Sequence, residues 1–194
     1  MADEVIAHVA LVEELYLAIG NSSVSRIELA GVTFLLNQTL LVSRSLAIVA
    51  TEPGAVLDGM NSTRVFKVHP WTARLELTNV TVTRGFTTGT DGGSAIDNWG
   101  TLLATNCTFS DHVALRGHGG AIRNWRAATL VGCDITRNFA RNGGGIDNRG
   151  GSTLLTLRAC RLSHNVVEQS GGGLSNQGTA VVTDSLPEYF LRRP

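Results

Sequence analysis

The chain has 194 residues, is 43% hydrophobic, and carries 16 basic against 16 acidic side chains. A balanced charge gives no electrostatic reason to expect a nucleic-acid partner, and no segment approaches the ~20 consecutive apolar residues of a membrane helix. The 22 glycines beside only 6% aromatics suit tight turns and thin strands more than an aromatic globular core.

At the N-terminus, Val5, Ile6, Val9, Val12, Tyr16 and Ile19 fall at helical spacing, and Gly20 can act as the stop. Residues 1–25 are therefore expected to form a capping helix and linker. Asp3, Glu4, Glu13 and Glu14 interrupt this stretch, so no secretory signal is visible in it. From Arg26 to Val68 short alternating runs appear, such as Ile27-x-Leu29, Leu46-x-Ile48 and Val65 to Val68. Gly31, Pro53-Gly54 and Asp58-Gly59 punctuate them.

A repeat then becomes explicit. Ala95-Ile96-Asp97-Asn98, Ala121-Ile122-Arg123-Asn124, Gly145-Ile146-Asp147-Asn148 and Gly173-Leu174-Ser175-Asn176 align, with Asn-to-Asn steps of 26, 24 and 28. Each copy is followed by two further alternating runs, for example Leu102-x-Ala104 and Cys107-x-Phe109. Period-2 alternation over so few residues means strands with one buried face, and a period near 26 means a solenoid. The expected fold is all-β: a right-handed parallel β-helix, a single-stranded solenoid with three short strands per coil and about six coils over residues 26–186. Residues 187–194 are expected to leave the repeat as a tail or truncation point.

The pair Gly119-Gly120-Ala121-Ile122 and Phe109-x-x-His112, with relaxed copies at Gly143 to Ile146 and at Ile135 to Asn138, resembles the repeats of chlamydial-type polymorphic outer membrane proteins. Ala55 to Gly59 and Val80 to Gly85 look like the wider pectate-lyase-like β-helix superfamily. The resemblance covers roughly residues 26–186. It implies a fold shared by adhesins, passenger domains, polysaccharide lyases and hydrolases, and so does not choose among them. His112 departs from the Asn of the motif.

Alternation assigns the columns. Asn98, Asn124, Asn148 and Asn176 share the inward side with Ile96, Ile122, Ile146 and Leu174, where stacked amides can form a structural ladder. Cys107, Cys133 and Cys160 form a second inward column and are expected to be buried and reduced. The opposite side carries Asp97, Arg123, Asp147 and Ser175 in one outward file, then Trp99, Trp125 and Arg149 in the next. Asp97, Trp99, Arg123, Trp125, Asp147 and Arg149 are thus the candidate ligand face: indoles for the apolar faces of sugar rings, charged groups for hydroxyls. For glycoside hydrolysis, Asp97 and Asp147 would stand ~9.6 Å apart, but Arg123 between them would depress both pKa values, the wrong direction for a general acid. No catalytic residue is assigned.

The five histidines show no metal-ligand spacing and are read as solvent-facing loop positions. The glycine runs lack the Lys-Ser/Thr of a phosphate loop, so neither metal nor cofactor is expected. Asn-x-Ser/Thr triplets at Asn21, Asn37, Asn61, Asn79 and Asn106 suit the turns. The expected function is a non-catalytic binding or adhesion module, extracellular or at the cell surface, presenting a rigid face to glycans or cell-surface proteins. It could belong to a longer repeat protein. The alternatives are a polysaccharide lyase or glycoside hydrolase, and a structural spacer.

Overall fold

The computed structural model describes residues 4–188 and 191–192. They form a right-handed parallel β-solenoid of about six turns with one short helix. Every strand pairing among them is parallel, and adjacent members lie one coil apart in sequence, so the chain climbs by one strand per turn in each sheet.

The first coil runs through Arg26–Leu29, Thr33–Leu35 and Leu40–Val42, and the second through Ser45–Ala50, Val56–Asp58 and Phe66–Val68. These two coils have the three strands expected. From the third coil onward a fourth strand is inserted, at Phe86–Thr87, Val113–His118, Phe139–Asn142, Val166–Ser170 and Leu191–Arg192. The described residues therefore make four parallel sheets of eight, seven, five and six strands. The inserted strands put Ala114, Ala140 and Val167 inward. They are short and run into glycine-rich turns, which is why they read as turn in the sequence.

The core is a set of stacked single-residue columns. Leu75, Leu102, Ala128 and Leu155 form one, and Val82, Phe109, Ile135 and Leu162 another; all are buried. Burying each Leu or Ile contributes about 1.5–3 kcal/mol, and in-register stacking repeats that gain at every coil. Two turn columns hold residues at positive φ. Asn79, Asn106, Gly132, Ala159 and Asp184 follow the eight-stranded sheet, and Arg84, Asp111, Arg137 and His164 follow the seven-stranded one. Asn and Gly suit the left-handed region; Ala159 occupies it at a cost.

The N-terminal cap is shorter than expected. Ile6–Val9 is a strand, paired in register with Arg26–Leu29, and the helix spans only Val12–Gly20. The Glu14 carboxylate accepts from the backbone N–H groups of Ala10 and Leu11, which starts the helix there rather than at Val5. Leu15, Ala18 and Ile19 are buried in the core of the first coil, so the helix does cover that end. Its other end is held by Arg44, whose guanidinium donates to the carbonyls of Ala18, Ile19, Asn21 and Val24. At the far end the strands Leu186–Glu188 and Leu191–Arg192 continue the stack past the expected limit at residue 186. The rest of the expected tail lies outside the described residues.

Two amide ladders run along the axis. Asn98 Nδ2 donates to Asn124 Oδ1, Asn124 to Asn148, and Asn148 to Asn176, each at 2.7 Å. The second was not read from the sequence as a ladder. Asn165 accepts from the Asn138 backbone N–H and donates to the Ile135 carbonyl, and Asn138 does the same for His112 and Phe109. His112 is the next rung. Its Nδ1 accepts from the Gly85 N–H at 2.8 Å and its Nε2 lies 3.0 Å from the Val82 carbonyl. Nδ1 replaces an amide oxygen and Nε2–H an amide N–H. His112 is fully buried, so the expectation of a solvent-facing loop position fails there. Cys107, Cys133 and Cys160 are buried and free.

Candidate functional site

The six-stranded sheet sets the site. Phe66–Val68, Ile96–Asn98, Ile122–Asn124, Ile146–Asn148 and Leu174–Asn176 pair in register, which puts Lys67, Asp97, Arg123, Asp147 and Ser175 in one file. The file is opposite Ile96 and Asn98 on each strand, as alternation requires. It is not exposed, however. Asp97 is 2% exposed, Arg123 7% and Asp147 0%.

The covering is made by the chain that enters each strand. Gly93, Gly119, Gly143 and Gly171 all have positive φ and turn the backbone tightly against the strand that follows. A Cβ on Gly93 would lie 3.0 Å from Asp97 Cα, so only glycine permits this approach. Loop residues ahead of the turn complete the cover: Asp91 Oδ1 lies 3.2 Å from Arg123 Nη1, and Arg64 donates to the carbonyls of Gly92 and Gly93.

Buried charges need partners, and these find them off the file. Arg64 approaches Asp97 at 4.0 Å, Asp91 takes Arg123, and Arg149 Nε lies 3.0 Å from Asp147. No described ion pair joins Arg123 to Asp97 or Asp147, so the file is not an Asp–Arg–Asp ion-pair ladder. Four buried polar atoms of the group have no hydrogen-bond partner among the described residues: Asp97 Oδ1, Arg123 Nε, Trp125 Nε1 and Asp147 Oδ1. They are two acceptors and two donors, a floor sealed from solvent beneath the covering chain. Close by, burial, followed by the charge of Arg149, holds His118 below the usual imidazole range.

Above this floor lies an aromatic rim. Trp99 and Trp125 stack with ring centroids 4.7 Å apart at 21°, and the Trp99 indole N–H donates to Asp97. The cation over Trp125 is Arg123, at 4.4 Å, while Arg149, next in the file, pairs with Asp147. Two further groups extend the rim that sequence reasoning did not assign. His69 sets its edge against Trp99. Trp71, 66% exposed, lies under the Arg126 guanidinium at 5.5 Å, and Arg126 donates to the Trp71 carbonyl. Trp71 sits in the same link, from the six-stranded to the eight-stranded sheet, that holds Trp99 and Trp125 one and two coils on. The loop there is longer in its coil, which hid the correspondence. Trp99 is 39% exposed and Trp125 half-buried.

No family model, curated protein or solved structure matches this chain. The fold is therefore established by its own geometry. No helix among the described residues is long and apolar enough to cross a membrane, and no cluster of three or more His, Cys, Asp or Glu that could hold a metal ion occurs among them.

Proposed function

We propose that the protein is a non-catalytic glycan-binding module, extracellular or at the cell surface, whose ligand lies along the tryptophan corner. One observation carries the reading. All three tryptophans of the chain stand at the same corner of the solenoid, outside the core, where ordinary packing would bury such large apolar rings. Indole faces match the apolar faces of sugar rings. Arg126 and Arg149, beside them, offer donors to hydroxyls. Trp99 and Trp125 directly follow the strands Ile96–Asn98 and Ile122–Asn124 and are stacked on each other, so little side-chain entropy is lost there on binding. The burial of Asp97, Arg123 and Asp147 reassigns them from direct contacts to the floor that positions Trp99, Trp125 and Arg149. It also places the carboxylates in ion pairs away from solvent, which disfavours a hydrolase or lyase.

Trp99 and Trp125 are stacked on each other and form one broad edge rather than two successive subsites. Single-site affinity should then be weak, about 10⁻⁴ M or poorer, with useful strength through multivalency. A glycan array probed with a multimerised form of the protein tests this. The variant carrying Trp71→Ala and Trp99→Ala should lose the array signal with its circular dichroism spectrum unchanged. Retained binding in that variant would refute the proposal.

A further inference from the structure

The loop that covers the charged floor is anchored on both of its sides. Its C-terminal side is anchored repeatedly: Gly93 N–H to the carbonyls of His118 and Gly119, Ser94 N–H to Gly120, and the Gly92 and Gly93 carbonyls to Arg64. Its N-terminal side rests on the two-residue strand Phe86–Thr87, the shortest of the inserted strands with Leu191–Arg192, and on the turn at Gly85 before it. That turn is held by the Arg84 guanidinium on Asp58, by backbone bonds such as Phe86 N–H to the Thr63 carbonyl, and by the hydrogen bond from Gly85 N–H to His112 Nδ1, the one of these made to an imidazole. Gly85 is packed so closely that a Cβ there would meet His112 Nδ1 at 2.7 Å.

In the other rungs of this ladder the acceptor is an amide oxygen, which does not titrate in the accessible range. In this rung it is an imidazole nitrogen. Nε2 already donates to the Val82 carbonyl, so the proton of an imidazolium must go on Nδ1. An N–H would then point at an N–H across 2.8 Å, in a fully buried site. The charged groups around the ring are already engaged. Asp58, on the strand Val56–Asp58, pairs with Arg84 from the turn after Thr81–Thr83. Asp111, in the turn just before His112, pairs with Arg137 from the turn one coil on. The two carboxylates favour the cation and the two guanidinium groups offset them, and neither carboxylate replaces the lost Gly85 contact.

We propose that His112 is an acid-sensitive latch: protonation breaks its bond to Gly85 and releases Phe86–Thr87 with the loop to Asp91, which uncovers Arg123 beside Trp125. The value of that opening to a ligand rests on the glycan reading; the opening itself does not. Burial holds the His112 imidazole down at about 4, against ~6.5 for a free imidazole. An open state with an ordinary imidazole therefore gains protons that the closed state refuses. Linkage raises the opening equilibrium about 30-fold between pH 7.5 and pH 5, and about 300-fold below pH 4.

Amide hydrogen exchange on the whole chain tests this without any ligand. After correction for intrinsic rates, residues 85–91 should lose about 30-fold in protection between pH 7.5 and pH 5, while the Asn98–Asn148 strands keep theirs. His112→Asn, which supplies the amide found in the other rungs, should abolish that pH dependence. Equal loss in the variant, or none in the wild type, overturns the proposal. If the variant fails to fold, the wild-type His112 ring is titrated by NMR instead; a midpoint near 6.5 overturns the latch and a midpoint near 4 supports it. Glycan binding that fails while the pH-dependent opening is seen would count against the ligand reading alone.

Discussion

Replacing Asn124 by Asp changes one atom in the middle of the longer amide ladder. Asn124 is fully buried. Its Oδ1 accepts from Asn98 at 2.7 Å, and its Nδ2 donates to Asn148 Oδ1 at 2.7 Å and to the Leu154 carbonyl at 3.2 Å. In Asn124→Asp one carboxylate oxygen keeps the Asn98 bond, and the other faces two acceptors with no proton to give. Two hydrogen bonds are lost at ~1 kcal/mol each, and two buried acceptors are left facing a charge, so the cost at pH 7.5 should be about 3–5 kcal/mol. Acid should partly repair it, because a protonated carboxyl can donate to Asn148 again. The new group's pKa is thus raised in the folded state. Between the ordinary value and the raised one the native state binds more protons than the unfolded state. The deficit relative to wild type must then shrink as pH falls through the raised value, by up to ~1.4 kcal/mol per unit. Urea denaturation of both proteins at pH 7.5 and pH 5, followed by circular dichroism, measures it; the His112 effect is common to both and cancels in the difference. A deficit under ~1 kcal/mol at pH 7.5, or one that widens at pH 5, would refute the reasoning.

Arg44→Ala removes several charge-assisted bonds to the carbonyls at the end of the capping helix and should cost about 2–3 kcal/mol, read as a fall in the urea midpoint. Ala159→Gly relieves a left-handed alanine at φ 51° in an exposed turn and should raise stability by about 0.5–1 kcal/mol; a lower melting temperature would contradict this. The cysteine column should resist a thiol reagent at pH 8 in the native state. The hydrogen bond to Cys107, with burial, pushes the Cys133 thiol up to about 12, and contact with Cys133 pushes Cys160 up as well. Fast labelling of Cys133 or Cys160 without denaturant would mean that the column is open.

The fold was legible because the columns repeat the same residue types at the same spacing. Ile96, Ile122 and Ile146 with Asn98, Asn124 and Asn148 give the period, the inward face and the ladder together. What was not legible depends on contacts between segments. Val113-Ala114, Phe139-Ala140 and Val166-Val167 each place a single residue inward, too little to show alternation, and a fourth sheet went unread. Alternation correctly put Asp97, Arg123 and Asp147 opposite Ile96, Ile122 and Ile146, but it knows only the strand's own two faces. That the glycine turns at Gly93 and Gly143 bring the entering chain over the far face is a tertiary fact. His112 looked like a break in the Asn motif because the motif is written in letters, whereas an imidazole can reproduce both hydrogen bonds of an amide. Trp71 stood in a longer loop, out of step with Trp99 and Trp125, and only the folding of that loop brings it to their corner.

The most direct test of the glycan-face account is an NMR titration of the three indole N–H signals with a β-1,4-linked glucose or N-acetylglucosamine hexasaccharide, or with whichever oligosaccharide an array returns. The account predicts saturable shifts of the exposed Trp71 and Trp99 signals at millimolar ligand, with the backbone amides of the seven-stranded sheet unmoved. Binding that leaves the indole signals in place, or that moves the seven-stranded sheet instead, would contradict it.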